Sequence, residues 1–246
     1  MRIAVAGGTG TVGRHVVDVA WERGHDVVVL ARSEGVDLTT GEGLSRRLAG
    51  VDAVVDVSNV ATQRRSEAQR FFRAVTTALL AAEAEQGVGH HVVLSIVGVD
   101  QVPLGYYAGK RLQEQLVADG PVPWSVLRAT QFHEFAEQSL GFVRLGPVSL
   151  VPRMLSQPVA AREVAEALVD LAAAGPSGRV PDLAGPERHD VVRLARRFVR
   201  ARGMRRAVLP LRVPGAAGRA MRSGVLAPQG EGPRGRITFA QWLADR

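Results

Sequence analysis

Apolar positions along this chain follow two alternating periods. Unbroken apolar runs at 2–6, 26–31, 52–57, 91–97 and 123–128 have the length and β-branched content of strands buried on both faces. Between them, the segments 11–23, 43–49, 64–86 and 106–118 repeat apolar side chains at spacings of three and four, the signature of helices with one buried face. The same spacing recurs at 132–139, 161–173 and 190–202. A short strand is predicted near 36–38, and weaker ones at 146–151, 179–183 and 207–211. Strands that alternate with helices predict a parallel sheet with helices packed on both faces. Residues 213–236, rich in Gly, Pro and Arg, predict a mobile loop or lid, with Phe239 and Trp242 anchoring the C-terminal end.

The first strand breaks into Gly7-Gly8-Thr9-Gly10-Thr11-Val12-Gly13 and a helix begins at once. In that context the glycines have a physical purpose. They allow a tight turn and close approach of backbone to a pyrophosphate, while the helix start offers unpaired N–H groups and partial positive charge. Gly7, Thr9, Gly10, Thr11, Val12 and Gly13 are therefore candidate dinucleotide ligands. The second strand ends at Arg32-Ser33, where a site for NAD would usually carry an acidic residue for the ribose 2′-hydroxyl. An arginine there suits a 2′-phosphate, so the cofactor expected is NADP, with NAD as the alternative. Ser58-Asn59, Ser95 and the segment from Thr130 to Phe132 also follow strand ends, so they converge on the same rim of the sheet, and Asp37 and Leu38, in the short strand near 36–38, are further cofactor-binding candidates. The fold expected is thus an α/β, Rossmann-type doubly wound parallel sheet. It forms one domain, with a nucleotide-binding core at 1–130 and a small C-terminal substrate lobe and lid at 131–246.

Charge narrows the chemistry. Of the 31 lysine and arginine residues, all but Lys110 are arginine, and both tyrosines of the chain, Tyr106 and Tyr107, lie just before it. A chain that uses arginine everywhere else needs an amine at that point. Tyr106 and Lys110 are four apart and share a helix face, and an ammonium beside a phenol favours the phenolate. That predicts a lowered tyrosine pKa and general acid/base chemistry. Tyr107 has a comparable claim at a spacing of three. The formal net charge of +7 owes much to Arg193, Arg196, Arg197, Arg200, Arg202, Arg205 and Arg206. Leu194, Phe198 and Val199 interleave with them, so they read as the wet face of an amphipathic helix and no nucleic-acid partner is expected. With no cysteine there is no disulfide or thiolate metal site, and the six histidines show no ligand spacing, so no metal is expected. No leader pattern and no apolar run of membrane length occurs, which predicts a cytoplasmic protein, a monomer or homodimer acting on a small molecule.

Taken together, the glycine loop, Ala31-Arg32-Ser33, Leu94-Ser95-Ile96-Val97-Gly98, Tyr106-Tyr107-Ala108-Gly109-Lys110 and Val122-Pro123-Trp124-Ser125-Val126-Leu127-Arg128 resemble an atypical short-chain dehydrogenase/reductase of the NmrA-like, NAD(P)H-binding branch. The resemblance runs through most of residues 1–185. It implies Tyr106 as acid/base, Lys110 on the nicotinamide ribose, and Ser95 orienting a substrate oxygen. Ser95 lies eleven residues before Tyr106, slightly short of the family spacing. The activity implied is NADPH-dependent reduction of a small to medium apolar carbonyl or quinone. By analogy with actinobacterial enzymes, that would be a step in tailoring an aromatic polyketide. Oxygenation or rearrangement on the same scaffold, or a non-catalytic redox sensor, are the alternatives.

Overall fold

The computed structural model describes residues 1–245. In chain order the elements begin with β1 (Arg2–Ala6), α1 (Thr11–Glu22), β2 (Asp26–Leu30), α2 (Leu44–Leu48), β3 (Ala53–Asp56), α3 (Arg65–Gln86), β4 (His90–Ile96), α4 (Gly105–Ala118) and β5 (Trp124–Ala129). They continue with α5 (Phe135–Gln138), β6 (Arg144–Leu145), β7 (Val148–Pro152), β8 (Leu155–Ser156), α6 (Ala161–Ala174), β9 (Gly178–Arg179), β10 (His189–Asp190), α7 (Val191–Ala201), β11 (Ala207–Leu211), α8 (Gly215–Ser223) and α9 (Phe239–Ala244). Two compact units emerge: Met1–Val99 with Leu104–Arg128 and Arg162–Val180, and Asp100–Pro103 with Ala129–Ala161 and Pro181–Arg246.

The first unit is built on a six-stranded sheet of order β2-β1-β3-β4-β5-β9. The β1–β2, β1–β3, β3–β4 and β5–β9 registers are parallel, for example Val5↔Val29 and Val5↔Val55. Ile3, Ala4, Val5 and Ala6 are fully buried, which is why β1 reads as an unbroken apolar run and not as an alternation. The chain leaves β1 for β2 on one side and returns to β3 on the other. The carboxyl ends of β1 and β3 therefore flank the point where strand order reverses, the usual ligand crevice of such sheets.

The structure differs from the sequence expectation at three places. The strand near 36–38 is only an isolated bridge, Asp37↔Glu42, and adds nothing to the sheet. The strand predicted at 179–183 begins earlier and joins β5 as β9. With α6 it returns the chain to the first unit, so the expected division at residue 130 is interrupted by residues 162–180. The segment 213–236 contains α8, with Gly218 and Met221 buried, and Leu226 and Ala227 buried just after it. Its alanines and Met221 sit on a helical spacing that the Gly and Arg content hides.

In the second unit β7 pairs with β6 antiparallel and with β11 parallel. Helix α7 buries Val191, Val192, Leu194, Ala195, Phe198 and Val199, starts on an Asp190 cap, and turns its arginines outward. Phe239 and Trp242 are buried, and the rings of His133 and Phe198 pack against Trp242. The helix predicted at 132–139 is reduced to Phe135–Gln138 plus a 3-10 turn, because Phe132 bridges to Val159. Among the described residues no helix is long and apolar enough to cross a membrane.

Candidate functional site

The glycine loop is built by backbone requirements first. Gly7 has φ +81°, and its N–H bonds Leu30 O at 3.1 Å while its carbonyl accepts from Gly10 N–H at 2.9 Å. A Cβ on Gly7 would lie 3.0 Å from Ser58 Cα, so the segment after β3 lies directly against the loop. A Cβ on Gly13 would fall 2.1 Å from Gly7 O, so only glycine lets α1 start that close to the turn. Gly10 differs. Its φ is −77°, and a Cβ there would meet only Gly7 O, at 3.2 Å, with open space beyond. No side chain caps α1 and its first turn holds no acid, so its N–H groups and positive end face that space unspent. Thr9 is exposed, Thr11 half-buried and Val12 buried. A cradle of this kind fits a pyrophosphate.

At the end of β2, Arg32 and Ser33 are exposed in a 3-10 turn. The carboxylate of Glu34 is taken by Arg47 Nη2 at 3.1 Å. That of Asp37 accepts from Thr39 N at 2.8 Å and Thr39 Oγ1 at 2.6 Å, bonds that hold its pKa below the ordinary carboxylate value, with a smaller pull from Arg32. Leu38 beside it is half-buried. The guanidinium of Arg32 is therefore left exposed while the nearby acids are engaged elsewhere.

The tyrosine–lysine pair is arranged otherwise than its spacing predicts. Tyr106, in the first turn of α4, donates its hydroxyl to Asn59 Oδ1 at 2.7 Å and packs edge-on against Phe72 and Tyr107. Burial, then the neighbouring Tyr107, pushes the phenol above its usual range, where a lowered value was expected. Lys110 does not acidify it, because its Nζ turns inward. The amine sits 4.7 Å from the Phe72 ring centroid and donates to Gln113 Oε1 at 2.5 Å. Burial lowers the Lys110 pKa to about 8, against the opposing pull of Asp56 and Glu114. Gln113 Nε2 donates to Asp56 Oδ2 at 2.8 Å, and Asp56 Oδ1 accepts from Ser58 N at 2.8 Å.

These contacts bring Gly7, Ser58, Asn59, Tyr106 and Lys110 together at the carboxyl ends of β1 and β3. Asp56 and Gln113, which the sequence reading passed over, join them; a carboxylate closing the buried run Ala53-Val54-Val55 was the available signal. Ser95 is buried at the end of β4, and its hydroxyl bonds neither Tyr106 nor any other described group. Thr130 and Phe132 lie in the second unit, where Thr130 Oγ1 donates to Gln157 O at 2.6 Å.

The NAD dependent epimerase/dehydratase family matches residues 3–99. A (4-alkanoyl-5-oxo-2,5-dihydrofuran-3-yl)methyl phosphate reductase of Streptomyces griseus subsp. griseus is 31% identical over 75% of this chain and 68% of its own length. A UDP-glucose-4-epimerase from Stenotrophomonas maltophila with bound NAD shares the fold at TM-score 0.70 and 19% identity, over 100% of this chain and 96% of that one. An NADPH-dependent quinone oxidoreductase from Escherichia coli does so at TM-score 0.70 and 18% identity, over 99% and 98%. The strand–glycine–helix crevice, the tyrosine and lysine on α4, and a reductase relative matched over two thirds of its length agree: the chain belongs to the short-chain dehydrogenase/reductase superfamily, in its atypical part, and is an NAD(P)-dependent oxidoreductase.

Proposed function

We propose that this enzyme uses NADPH to reduce a small to medium apolar carbonyl compound or quinone, with Tyr106 as the proton donor. The observation that carries the reading is the state of that phenol. A phenol is neutral at ordinary working pH, burial raises its pKa further, and its proton already lies in a hydrogen bond to Asn59. Reduction of a carbonyl or quinone needs a proton delivered to the oxygen that gains charge. Epimerisation or alcohol oxidation instead begins by removing a hydroxyl proton, which requires a base. The protonated Tyr106 phenol is the form that the first task requires.

A bound nicotinamide supplies the hydride. The residues of this chain bind and orient it: the Gly10 opening and the start of α1 take the pyrophosphate, and exposed Arg32 takes a 2′-phosphate, hence NADPH ahead of NADH. Lys110 holds the nicotinamide ribose with the N–H bonds that Gln113 leaves free. Ser95, whose buried hydroxyl has no partner, meets the substrate oxygen. The Streptomyces relative is itself a reductase of a conjugated, oxygen-rich ring compound, which supports reduction as the reaction type.

The test is loss of NADPH absorbance with a panel of quinones and conjugated carbonyl compounds. Turnover is expected, and Tyr106→Phe should cost roughly 10²–10⁴-fold of it while leaving NADPH binding nearly unchanged. A second reading, nucleotide binding without turnover, is favoured by the inward turn of Lys110. Tight NADPH binding with no turnover on any acceptor would establish that reading instead.

A further inference from the structure

Three acidic side chains of the first unit, Glu83, Glu114 and Asp56, are each compensated in a different way. Glu83, on α3, accepts at both carboxylate oxygens from His91 Nδ1 at 2.9 Å, and both residues are fully buried. Glu114, on α4, receives Arg128 Nε and Nη2 at 2.8 and 2.5 Å. Asp56, at the end of β3, is fully buried, and among the described residues its hydrogen-bond partners are an amide N–H and an amide NH₂ and not a cation. Its two oxygens are held by the Ser58 amide and by Gln113 Nε2, and the far end of the Gln113 amide accepts from Lys110 Nζ. His91, engaged by Glu83, lies within electrostatic reach of Asp56, and the cation tied to Asp56 by hydrogen bonds, through the Gln113 amide, is the ammonium of the chain's single lysine.

The amide between them has a consequence for what the ammonium can do. A carboxylate in direct contact would draw the ammonium's donors to itself, whereas an amide oxygen occupies one of its three N–H bonds. The Phe72 ring, 4.7 Å away, stabilises the positive charge from its face without taking a donor in a strong hydrogen bond. Gln113 leaves the other N–H bonds untaken, and the negative charge of Asp56 still reaches the ammonium across the polarised amide. The direction of Gln113 is fixed at both ends: reversing it would set its NH₂ against the ammonium and its oxygen against the carboxylate.

We infer that Asp56, acting through Gln113, is the counter-ion that holds the Lys110 ammonium in place and keeps it protonated, so that Asp56 and Gln113 are positioning residues of this lysine. The part concerning catalysis rests on the proposed function; the part concerning Lys110 itself does not. The charged and titratable groups that face Lys110 are Asp56 from β3, Glu114 from its own helix and, beyond Asp56, the Glu83–His91 pair. Asp56 reaches it through two hydrogen bonds in series, with the Gln113 amide between them.

A single lysine makes the test direct. Protein grown with lysine labelled at Cε and Nζ gives one side-chain resonance pair, whose pH titration reports Lys110 without assignment. The parent should titrate near the value of about 8. Asp56→Asn, which keeps the shape, removes the charge and leaves one oxygen to accept from either the Ser58 amide or Gln113 Nε2, should weaken proton binding at Lys110 on the order of tenfold. Gln113→Met should weaken it as well, and the double variant should be no worse than Asp56→Asn alone, because the two act in series. Should Asp56→Asn fail to fold, Gln113→Met carries the test by itself. A Lys110 titration unchanged in the folded variants would overturn the inference, as would additive effects of the two. In the NADPH assay, the limb of the pH profile that belongs to Lys110 should move to lower pH in Asp56→Asn, with kcat affected more than KM. If the parent shows no turnover, the reductase reading fails, and the resonance titration still decides the role of Asp56.

Discussion

Replacing Lys110 by Met gives a stability difference whose pH dependence is set by burial. The substitution keeps an unbranched side chain and removes the ammonium. In the folded protein the amine titrates at about 8, against an ordinary value of 10.5. At about 1.4 kcal/mol per unit, protonated Lys110 costs the folded state about 3 kcal/mol relative to its neutral form. Proton counting gives the sign. Below about 8 both folded and unfolded chains hold the proton, so this group gives no slope. Between about 8 and 10.5 the unfolded chain binds more protons, so parent stability rises with pH. Above 10.5 the gain is complete. Urea unfolding of parent and Lys110→Met at about pH 7 and about pH 10 should therefore show the parent gaining about 2–3 kcal/mol on the variant. Titrating groups not coupled to Lys110 are common to both proteins and cancel in the difference, and the groups coupled to it are carboxylates, which ordinarily titrate well below this pH window. At neutral pH the absolute difference also contains the lost bond to Gln113 Oε1, a buried acceptor then left unpaired at a cost of about 1–3 kcal/mol. A difference flat between the two pH values would refute the reasoning, because it would mean that Lys110 titrates alike folded and unfolded. A falling difference would mean that Asp56 and Glu114 outweigh burial.

Arg32→Asp should weaken NADPH binding about tenfold to a hundredfold and improve NADH binding; calorimetry with both nucleotides checks this, and unchanged NADPH affinity would remove Arg32 from the site. Gly10→Val should leave unfolding almost unchanged, since φ is −77° and only Gly7 O lies near the new Cβ, yet abolish NADPH fluorescence enhancement. Gly13→Ala, by contrast, should destabilise the protein by about 2–3 kcal/mol in denaturant titration, because its Cβ falls 2.1 Å from a backbone carbonyl. Ser95→Ala should hold or raise thermal stability, since the hydroxyl is buried without a partner, while turnover falls; intact turnover would free Ser95 from any part in the reaction.

How far the sequence could be read depended on whether each feature is local. The strand–glycine–helix start is written in consecutive residues, and the structure returns it with β1 at Arg2–Ala6 and α1 from Thr11. The arginine face of α7 was legible for the same reason, because its buried and exposed positions alternate within one helix. Strand β9 was not. Two residues carry almost no periodic signal, and their choice of β5 as a partner is made across the whole of α6. Helix α8 was hidden by composition: Gly215 and Gly218 read as loop, yet Gly218 is buried where a Cβ would lie 1.8 Å from Val213 O.

The lone lysine shows the same limit at the site itself. Spacing on a helix correctly puts Tyr106 and Lys110 on one face, and from that alone an acidified phenol is the reasonable expectation. Helix spacing, however, fixes where a side chain starts and not where its end goes. The deciding residue stood on another element: Asp56 closes a strand whose four residues are all fully buried. An unpartnered carboxylate there would cost several kcal/mol, so the fold must supply it with donors and a positive charge. In a chain whose other long basic side chains all end in a wide planar guanidinium, the compact ammonium of Lys110 fits the narrow space above Asp56. The amine that the composition singles out is thus required twice, once by the nucleotide it is proposed to hold and once by the buried acid beneath it. Tyr106, no longer beside a free cation, keeps its proton.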